Sequence, residues 1–158
     1  MLAETTTPPM PTAEEEVWRY SRIGELQLAD FSPAATHTTV VGAESLPAPD
    51  PGVVEQLIAA MTRHDLFDDL SAQHHSTVAI VVPPRTVLAE PIVVTHRIPA
   101  EMEGAALYPR LVVHAGADSE FIVVERFESH PEVRALVVPR LVLHAAAAAR
   151  VSYLGVNL

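Results

Sequence analysis

Residues 109–115 read PRLVVHA, and the chain returns to almost the same heptapeptide, PRLVLHA, at residues 139–145. Six of the seven positions are identical at an offset of 30 residues. The register then continues without a gap, so that residues 121–124 (FIVV) fall opposite residues 151–154 (VSYL). A fixed offset that spans two apolar runs separated by a turn is typical of a solenoid, in which each repeat is one coil. The repeat therefore predicts a scaffold or platform without an enzyme cleft of its own.

The apolar runs that precede the repeat have the composition of buried strands. Residues 77–82 (TVAIVV), 86–88 (TVL) and 91–95 (PIVVT) are rich in β-branched side chains and apolar at almost every position. Such runs are typical of parallel strands that are covered on both faces. The gaps between them are too short for the crossover helix of a βαβ unit. We therefore predict a right-handed parallel β-helix over residues 77–158, with a β-sandwich as the competing architecture.

Five consecutive alanines at residues 145–149 test this interpretation. Alanine has the highest helix propensity, but a segment this short cannot nucleate a helix by itself. The repeat places it opposite residues 115–119 (AGADS), which have the composition of a turn. We therefore predict a tight corner between two strands at this position.

The sequence before residue 77 predicts a different, α-helical region over residues 12–76, after a Thr- and Pro-rich disordered lead-in at residues 1–11. Thr12 followed by Glu15 has the form of a capping box and predicts a helix that ends before Gly24. Residues 29–51 contain several prolines and are predicted to be an extended loop. The predicted packing residues of the first helix are Val17, Trp18, Tyr20 and Ile23.

Two further helices are predicted in the same region. Asp50 followed by Pro51 is typical of a helix start, with the acid as the cap and proline in the first turn. A short third helix is predicted over residues 66–73. The acidic run Glu14-Glu15-Glu16 is interpreted as a solvated helix start, with a docking patch for a basic partner as its functional alternative.

Composition and charge exclude several classes of function. The chain has 158 residues, which is the size of one domain, and its net charge is −10. Residues 1–70 account for −9 of that charge, so neither half offers the basic surface that nucleic acids require. No apolar stretch reaches the roughly 18 residues of a membrane span, and no signal peptide is visible. The chain lacks cysteine, which excludes disulfides and cysteine-ligated clusters, and a cytoplasmic location is the default expectation.

Several segments of the chain, taken in order, resemble one known family. They are residues 15–20 (EEVWRY), 67–72 (FDDLSA), 78–94, 109–113 (PRLVV), 123–127 (VVERF) and 149–153 (ARVSY). Together these segments resemble the SufB/SufD family of iron–sulfur cluster assembly scaffold proteins, and the SufD branch more closely. The chain departs from the family at Thr86, Ala147 and Ala148, which are turn positions where the family often has glycine or, at the two alanines, an acid.

The resemblance implies a non-catalytic role in assembling iron–sulfur clusters, within a complex that contains SufB-like and SufC-like (ATPase) proteins. Members of the family are longer, so the chain is interpreted as the N-terminal half of a SufD-like protein. The region that docks the ATPase and the residues at the cluster site would then lie beyond Leu158. No catalytic, cofactor-binding or metal residue is therefore assigned, and the cluster is expected to be handled by the parent complex. An open last coil predicts self-association or poor solubility of this chain.

The histidines provide the main alternative chemistry. His96, His114 and His144 each follow a proline by five residues, so stacked coils could align them in a column that captures a divalent ion. The simpler interpretation is a solvent-exposed ladder at strand ends. The adjacent pair His74-His75 is interpreted as a surface junction between helix and strand.

Two other functions remain as alternatives to the scaffold. One is a small enzyme with a histidine metal site in a cupin-like β-barrel, which would need ligands that converge in a cavity. The other is an adaptor that binds protein through the acidic helical region. Glu125, Arg126 and Glu128 are predicted to decorate a solvent-exposed face, because no spacing fixes a second carboxylate beside them for acid–base work.

Overall fold

The structure is a computed structural model that describes residues 8–61 and 65–158, and within them it is mainly β. Two α-helices, α1 (Pro51–Ala59) and α2 (Leu66–His74), precede most of the strands. No helix in these ranges is long and apolar enough to cross a membrane. The strands are β1 (Ser32–Pro33), β2 (His37–Val41), β3 (Ser76–Val82), β4 (Ile92–Ile98), β5 (Ala105–Leu107), β6 (Pro109–Ala115), β7 (Glu120–Ser129), β8 (Leu136–Val137), β9 (Arg140–Ala145) and β10 (Arg150–Asn157).

These strands form three open sheets, with the orders β1-β5-β8, β10-β7-β4-β2 and β3-β6-β9. All strand pairs are parallel except β2 with β4. From β3 onwards the chain visits the three sheets repeatedly in the same cyclic order. We use the word coil only for one passage of the chain through these sheets: the first coil is β3–β5, the second is β6–β8, and the third begins with β9 and β10.

The pairing of the two heptapeptides is confirmed. Strand β6 lies parallel to β9, with Arg110 opposite Arg140 and Leu111 opposite Leu141. The same 30-residue offset continues in the next sheet, where Phe121 of β7 lies opposite Val151 of β10. Identical residues lie side by side because each paired residue of β6 and β7 faces the residue 30 positions later, in β9 or β10.

The core forms between the inner faces of two sheets. Alternate residues of each strand point to one face, and the inner residues of β3 and β6 pack against those of β4 and β7. The buried members of this cluster are Ile80, Val82, Ile92, Val94, Leu111, Val113, Ala115, Phe121 and Val123. Burial in this cluster explains the apolar residues at alternate positions of the four strands.

The helix predicted from its cap at Asp50 and the short helix predicted over residues 66–73 are both formed. The Asp50 carboxylate accepts hydrogen bonds from the backbone N–H groups of Gly52 and Val53, and Pro51 opens α1. Helix α2 begins with a reciprocal capping box between Asp65 and Asp68. The strands predicted at residues 77–82 and 91–95 correspond to β3 and β4, whereas residues 86–88 contribute only a single bridge from Val87 to Glu120.

The helix predicted to begin at Thr12 is not formed. The Thr12 N–H does bond the Glu15 carboxylate, but the chain continues as isolated turns closed by bonds between residues three apart. Val17 and Tyr20, the predicted apolar stripe, are exposed, whereas Ile23 is buried. A helix of this length is marginal unless one of its faces is buried. The predicted lead-in at residues 1–11 lies largely outside the described residues.

The segment over residues 29–51, which was predicted to be an extended loop, contains the two-residue strand β1 and the five-residue strand β2. Strand β2 pairs antiparallel with β4, with Thr38 opposite His96 and Val40 opposite Val94. The following turn places Ala43 and Leu46 against the core cluster. Strand β2 and the turn after it therefore cover the core at the first coil, which is the end opposite to the open edge at β10.

The turns that connect successive strands are stacked as well. Arg85, Asp118 and Ala148 occupy the same place in three successive turns, and all three have positive φ values of 59°, 57° and 55°. The Arg85 N–H bonds the carbonyl of Ala117, and the Asp118 N–H bonds that of Ala147. The predicted corner at residues 145–149 is therefore confirmed, with Ala148 in the left-handed conformation.

We expect Ala148→Gly to raise the free energy of unfolding by about 0.5–1 kcal/mol. The left-handed conformation costs alanine roughly 1–2 kcal/mol, and part of the gain is offset by the greater entropy of glycine in the unfolded chain. Urea unfolding of the two proteins measures the difference. Ala147→Gly is the matched control, because it lies in the same turn without a positive φ and should lower stability. A lower free energy of unfolding for Ala148→Gly would contradict the interpretation that the left-handed conformation strains Ala148.

Candidate functional site

A buried polar cluster interrupts the apolar core on the β10-β7-β4-β2 sheet. His96 of β4 and Glu125 of β7 are each 1% exposed. His96 Nε2 lies 2.9 Å from Glu125 Oε1, and the Tyr153 hydroxyl donates to Glu125 Oε2 at 2.6 Å. Tyr153 belongs to β10, so one carboxyl group connects three neighbouring strands.

The cluster extends to the strand that covers the first coil. Thr38 Oγ1 of β2 lies 2.8 Å from His96 Nδ1. The imidazole also stacks on the Phe127 ring, with 4.9 Å between ring centroids. Both nitrogens of His96 and both oxygens of Glu125 are therefore engaged. The chain of contacts crosses all four strands of the sheet, from β2 through β4 and β7 to β10.

The electrostatics of the cluster favour a structural role, in which side-chain hydrogen bonds link neighbouring strands. Burial raises the pKa of Tyr153, and the hydrogen bond to Glu125 and its negative charge raise it further. The phenol therefore remains a hydrogen-bond donor at neutral pH. Because His96 and Glu125 are closed off from solvent, a dissolved substrate cannot contact them in this conformation. The chemistry that the cluster supports here is to hold the coils together.

This position corrects the prediction for Glu125, which is buried and not part of a solvent-exposed face. Arg126 and Glu128 do lie on the partly exposed side of β7, with 3.5 Å between their charged groups. The missed signal was the alternation in β7: Glu125 follows Phe121 and Val123 at intervals of two, and therefore faces the core with them.

The predicted histidine column is formed only in part. His114 and His144 are direct neighbours on β6 and β9, with 5.0 Å between ring centroids and 4° between ring planes. His96 lies on a different sheet, opposite Phe127 of β7. The reason is that the corresponding position of the first coil on β3 is Val81, which pairs with His114. The described residues contain no group of three or more potential metal ligands.

The other candidate residues lie apart from the cluster. His75 follows the end of α2, with its Nδ1 2.9 Å from Thr77 Oγ1, and the His74 ring is 5.9 Å from that of Tyr108. Glu16 pairs with Arg19 at 2.7 Å on the exposed N-terminal turns. These positions fit the predicted junction and solvated acidic segment.

Trp18 does pack as predicted, although not from a helix. Its ring centroid is 5.3 Å from that of Phe67, and its indole N–H donates to Asp65 at 3.0 Å. Phe67 belongs to α2, and Asp65 caps that helix. Trp18 thus fastens the N-terminal turns to the beginning of α2.

The two arginines of the repeated heptapeptide attach α2 to the sheet. The Arg110 guanidinium donates to the carbonyl of Ser71 at 3.1 Å, and Arg140 forms an ion pair with Asp68. Both arginines belong to adjacent strands and reach the same helix. The repeat of this residue type is therefore explained by the helix that both coils contact.

The opposite end of the core, at the third coil, presents an open edge. Strands β8, β9 and β10 are each terminal in their sheets. Leu143 and Tyr153 lie on the inner faces of β9 and β10 and are 45% and 38% exposed. A groove of about 430 Å³ adjoins this edge and is lined in part by Phe127, Val137 and Leu158. The open edge of the third coil, formed by β8–β10, is therefore a candidate interaction surface.

Comparisons of the chain with models of protein families, with curated proteins and with solved structures found no match.

Proposed function

We propose that the chain is a right-handed parallel β-helix that acts as a non-catalytic scaffold for iron–sulfur cluster assembly. The observation that carries this proposal is the pairing of the two heptapeptides in three-sheet coils at a 30-residue offset. Regular coils that bury a continuous core and leave backbone groups at an edge are suited to binding other proteins. The function follows from the resemblance of the sequence to the SufB/SufD family.

The proposal places the protein in the cytoplasm, in a complex with SufB-like and SufC-like proteins. The cluster is handled by that complex, and this chain binds no cofactor by itself. Two properties of the described residues support a scaffold. The buried His96–Glu125 cluster is closed to solvent, and the terminal strands β9 and β10 leave Leu143 and Tyr153 exposed on their inner faces. Both favour protein contacts over turnover of a small molecule.

The open edge of the third coil has a direct consequence for the isolated 158-residue protein. Edge strands with apolar inner faces pair with other strands unless they are covered or charged. We expect the purified protein to pair edge to edge with a second copy. Light scattering at increasing concentration measures this pairing, and a monodisperse monomer at high concentration would contradict it.

The function is tested by capture of the endogenous protein. A tag on the chromosomal gene allows purification from the native cytoplasm, with identification of the bound proteins by mass spectrometry. We expect SufB-like and SufC-like proteins to be recovered together, whereas the purified 158-residue chain alone should not retain the SufC-like ATPase. Absence of both partners from the endogenous preparation would refute the assembly role. Strong retention of the ATPase by the isolated chain would instead contradict the placement of the ATPase-docking region beyond Leu158.

The same experiments separate the alternatives. A cupin-like enzyme requires a closed barrel, but the described strands form three open sheets. An adaptor acting through its acidic region would keep its partners without the coils. Replacing Glu14, Glu15 and Glu16 by glutamine in the tagged protein keeps β2 and α2 in place. It should abolish partner capture if the acidic region carries the binding, and should leave capture measurable if the coils carry it.

A further inference from the structure

We propose that His114 and His144 form a two-imidazole binding site for a divalent late first-row transition metal such as Zn²⁺ or Cu²⁺. The site lies on the outer face of the β3-β6-β9 sheet, away from the buried His96–Glu125 cluster. It does not depend on the role in cluster assembly. It would bridge the second and third coils, because one ligand comes from β6 and the other from the edge strand β9.

The geometry of the pair carries the proposal. His114 Nδ1 and His144 Nδ1 are 3.1 Å apart. Two nitrogens bound to one tetrahedral zinc at about 2.0–2.1 Å are separated by roughly 3.3 Å. The spacing is thus already close to that of two ligands on one ion. The rings are nearly parallel, so their lone pairs converge only after rotation about χ2, which is a soft torsion for histidine.

The protonation state of the pair also favours the binding of a metal ion. Two Nδ1 atoms this close can share one proton but cannot both carry one without repulsion. Partial burial lowers the pKa of His114, and the neighbouring His144 lowers it further. This shift favours the neutral form of the His114 ring, which is the form that binds metal.

The surroundings leave room for an ion and select its type. His144 is exposed and His114 is partly exposed, so a hydrated ion can reach both. The nearest positions on the same face are Val81, Val112 and Val142, which add no charge. Imidazole ligands favour Zn²⁺ and Cu²⁺ over the oxygen-seeking Mg²⁺. With two protein ligands, the remaining coordination positions are open to water or to a group from another molecule.

Isothermal titration of the purified protein with ZnCl₂ at pH 7.5 tests the site. We expect saturable binding at one ion per chain, weaker at pH 5.5 because protons compete for the imidazoles. MgCl₂ should produce no saturable heat. Either single substitution, His114→Asn or His144→Asn, should weaken zinc binding by about tenfold or more, because even outer-shell partners of metal ligands are worth about that much.

The matched control is His130→Asn, which removes a histidine between β7 and β8 that lies outside the pair. It should bind zinc like the unmodified protein. His144 is exposed on an edge strand, so its substitution is expected to preserve the fold, which circular dichroism checks. No saturable heat with millimolar zinc would overturn the site. Equal affinity in all three variants would overturn it too, because the ion would then be held elsewhere.

Discussion

Replacement of Glu125 by alanine is expected to lower the free energy of unfolding by about 3–5 kcal/mol, as is typical when one partner of a buried pair is removed. The substitution leaves the buried His96 without its carboxylate partner and removes the acceptor of the Tyr153 hydroxyl. It also removes the contact that connects β4, β7 and β10. Urea unfolding at neutral pH measures the loss.

Two further substitutions define what this loss means. Glu125→Gln keeps the shape and one oxygen acceptor, so we expect a smaller loss of about 1–3 kcal/mol. Glu120→Ala is the matched control, because it removes an exposed glutamate of the same strand whose ion pair with Arg150 is worth about 0–1 kcal/mol. If Glu125→Ala and Glu120→Ala cost the same, the buried cluster does not hold the coils together.

The part of the fold that could be predicted is the part that repeats. Arg110 and Arg140, or Leu111 and Leu141, lie side by side because equal coil length converts a sequence offset directly into a spatial pairing. The cap of α1 was equally readable, because Asp50 bonds backbone groups only two or three residues away. Local and periodic signals of this kind do not depend on distant contacts.

The part that could not be predicted depends on contacts between distant residues. Glu125 bonds His96, which lies 29 residues away in the sequence. No local sequence pattern indicates that these two residues are partners. The alternation with Phe121 and Val123 placed Glu125 on the inner face, but an acid there becomes plausible only once its partners are known. Strand β2 was missed for the same reason, because its five residues are fixed by pairing with β4.

The N-terminal turns illustrate the opposite error. Thr12 and Glu15 carry the local signal of a helix start, and half of the capping box is indeed formed. The helix fails because Val17 and Tyr20 find no apolar surface. Trp18 instead fastens the segment through its contact with Phe67. A local cap can start a helix, but tertiary burial decides whether a short one persists.

Replacement of Leu111 by alanine is expected to cost about 3–5 kcal/mol, whereas the same change at Leu141 should cost much less. Both leucines hold the same place in the repeated heptapeptide and differ only in coil. Leu111 is fully buried in the second coil, so truncation leaves a cavity that costs roughly 2.7–5 kcal/mol. Leu141 packs on the same core but is only partly buried at the open edge, where water and neighbouring side chains can fill the space.

Urea unfolding of the two variants at low protein concentration measures both losses, with each leucine serving as the other's control. At low concentration, equal losses would contradict the open edge, because they would require Leu141 to be as well covered as Leu111. At high concentration, the edge-to-edge pairing proposed for the purified protein would cover Leu141 and increase the cost of its truncation. The cost of Leu111→Ala should change little, because its surroundings are complete within one chain. The difference between the two leucines therefore reports directly on whether the third coil is covered.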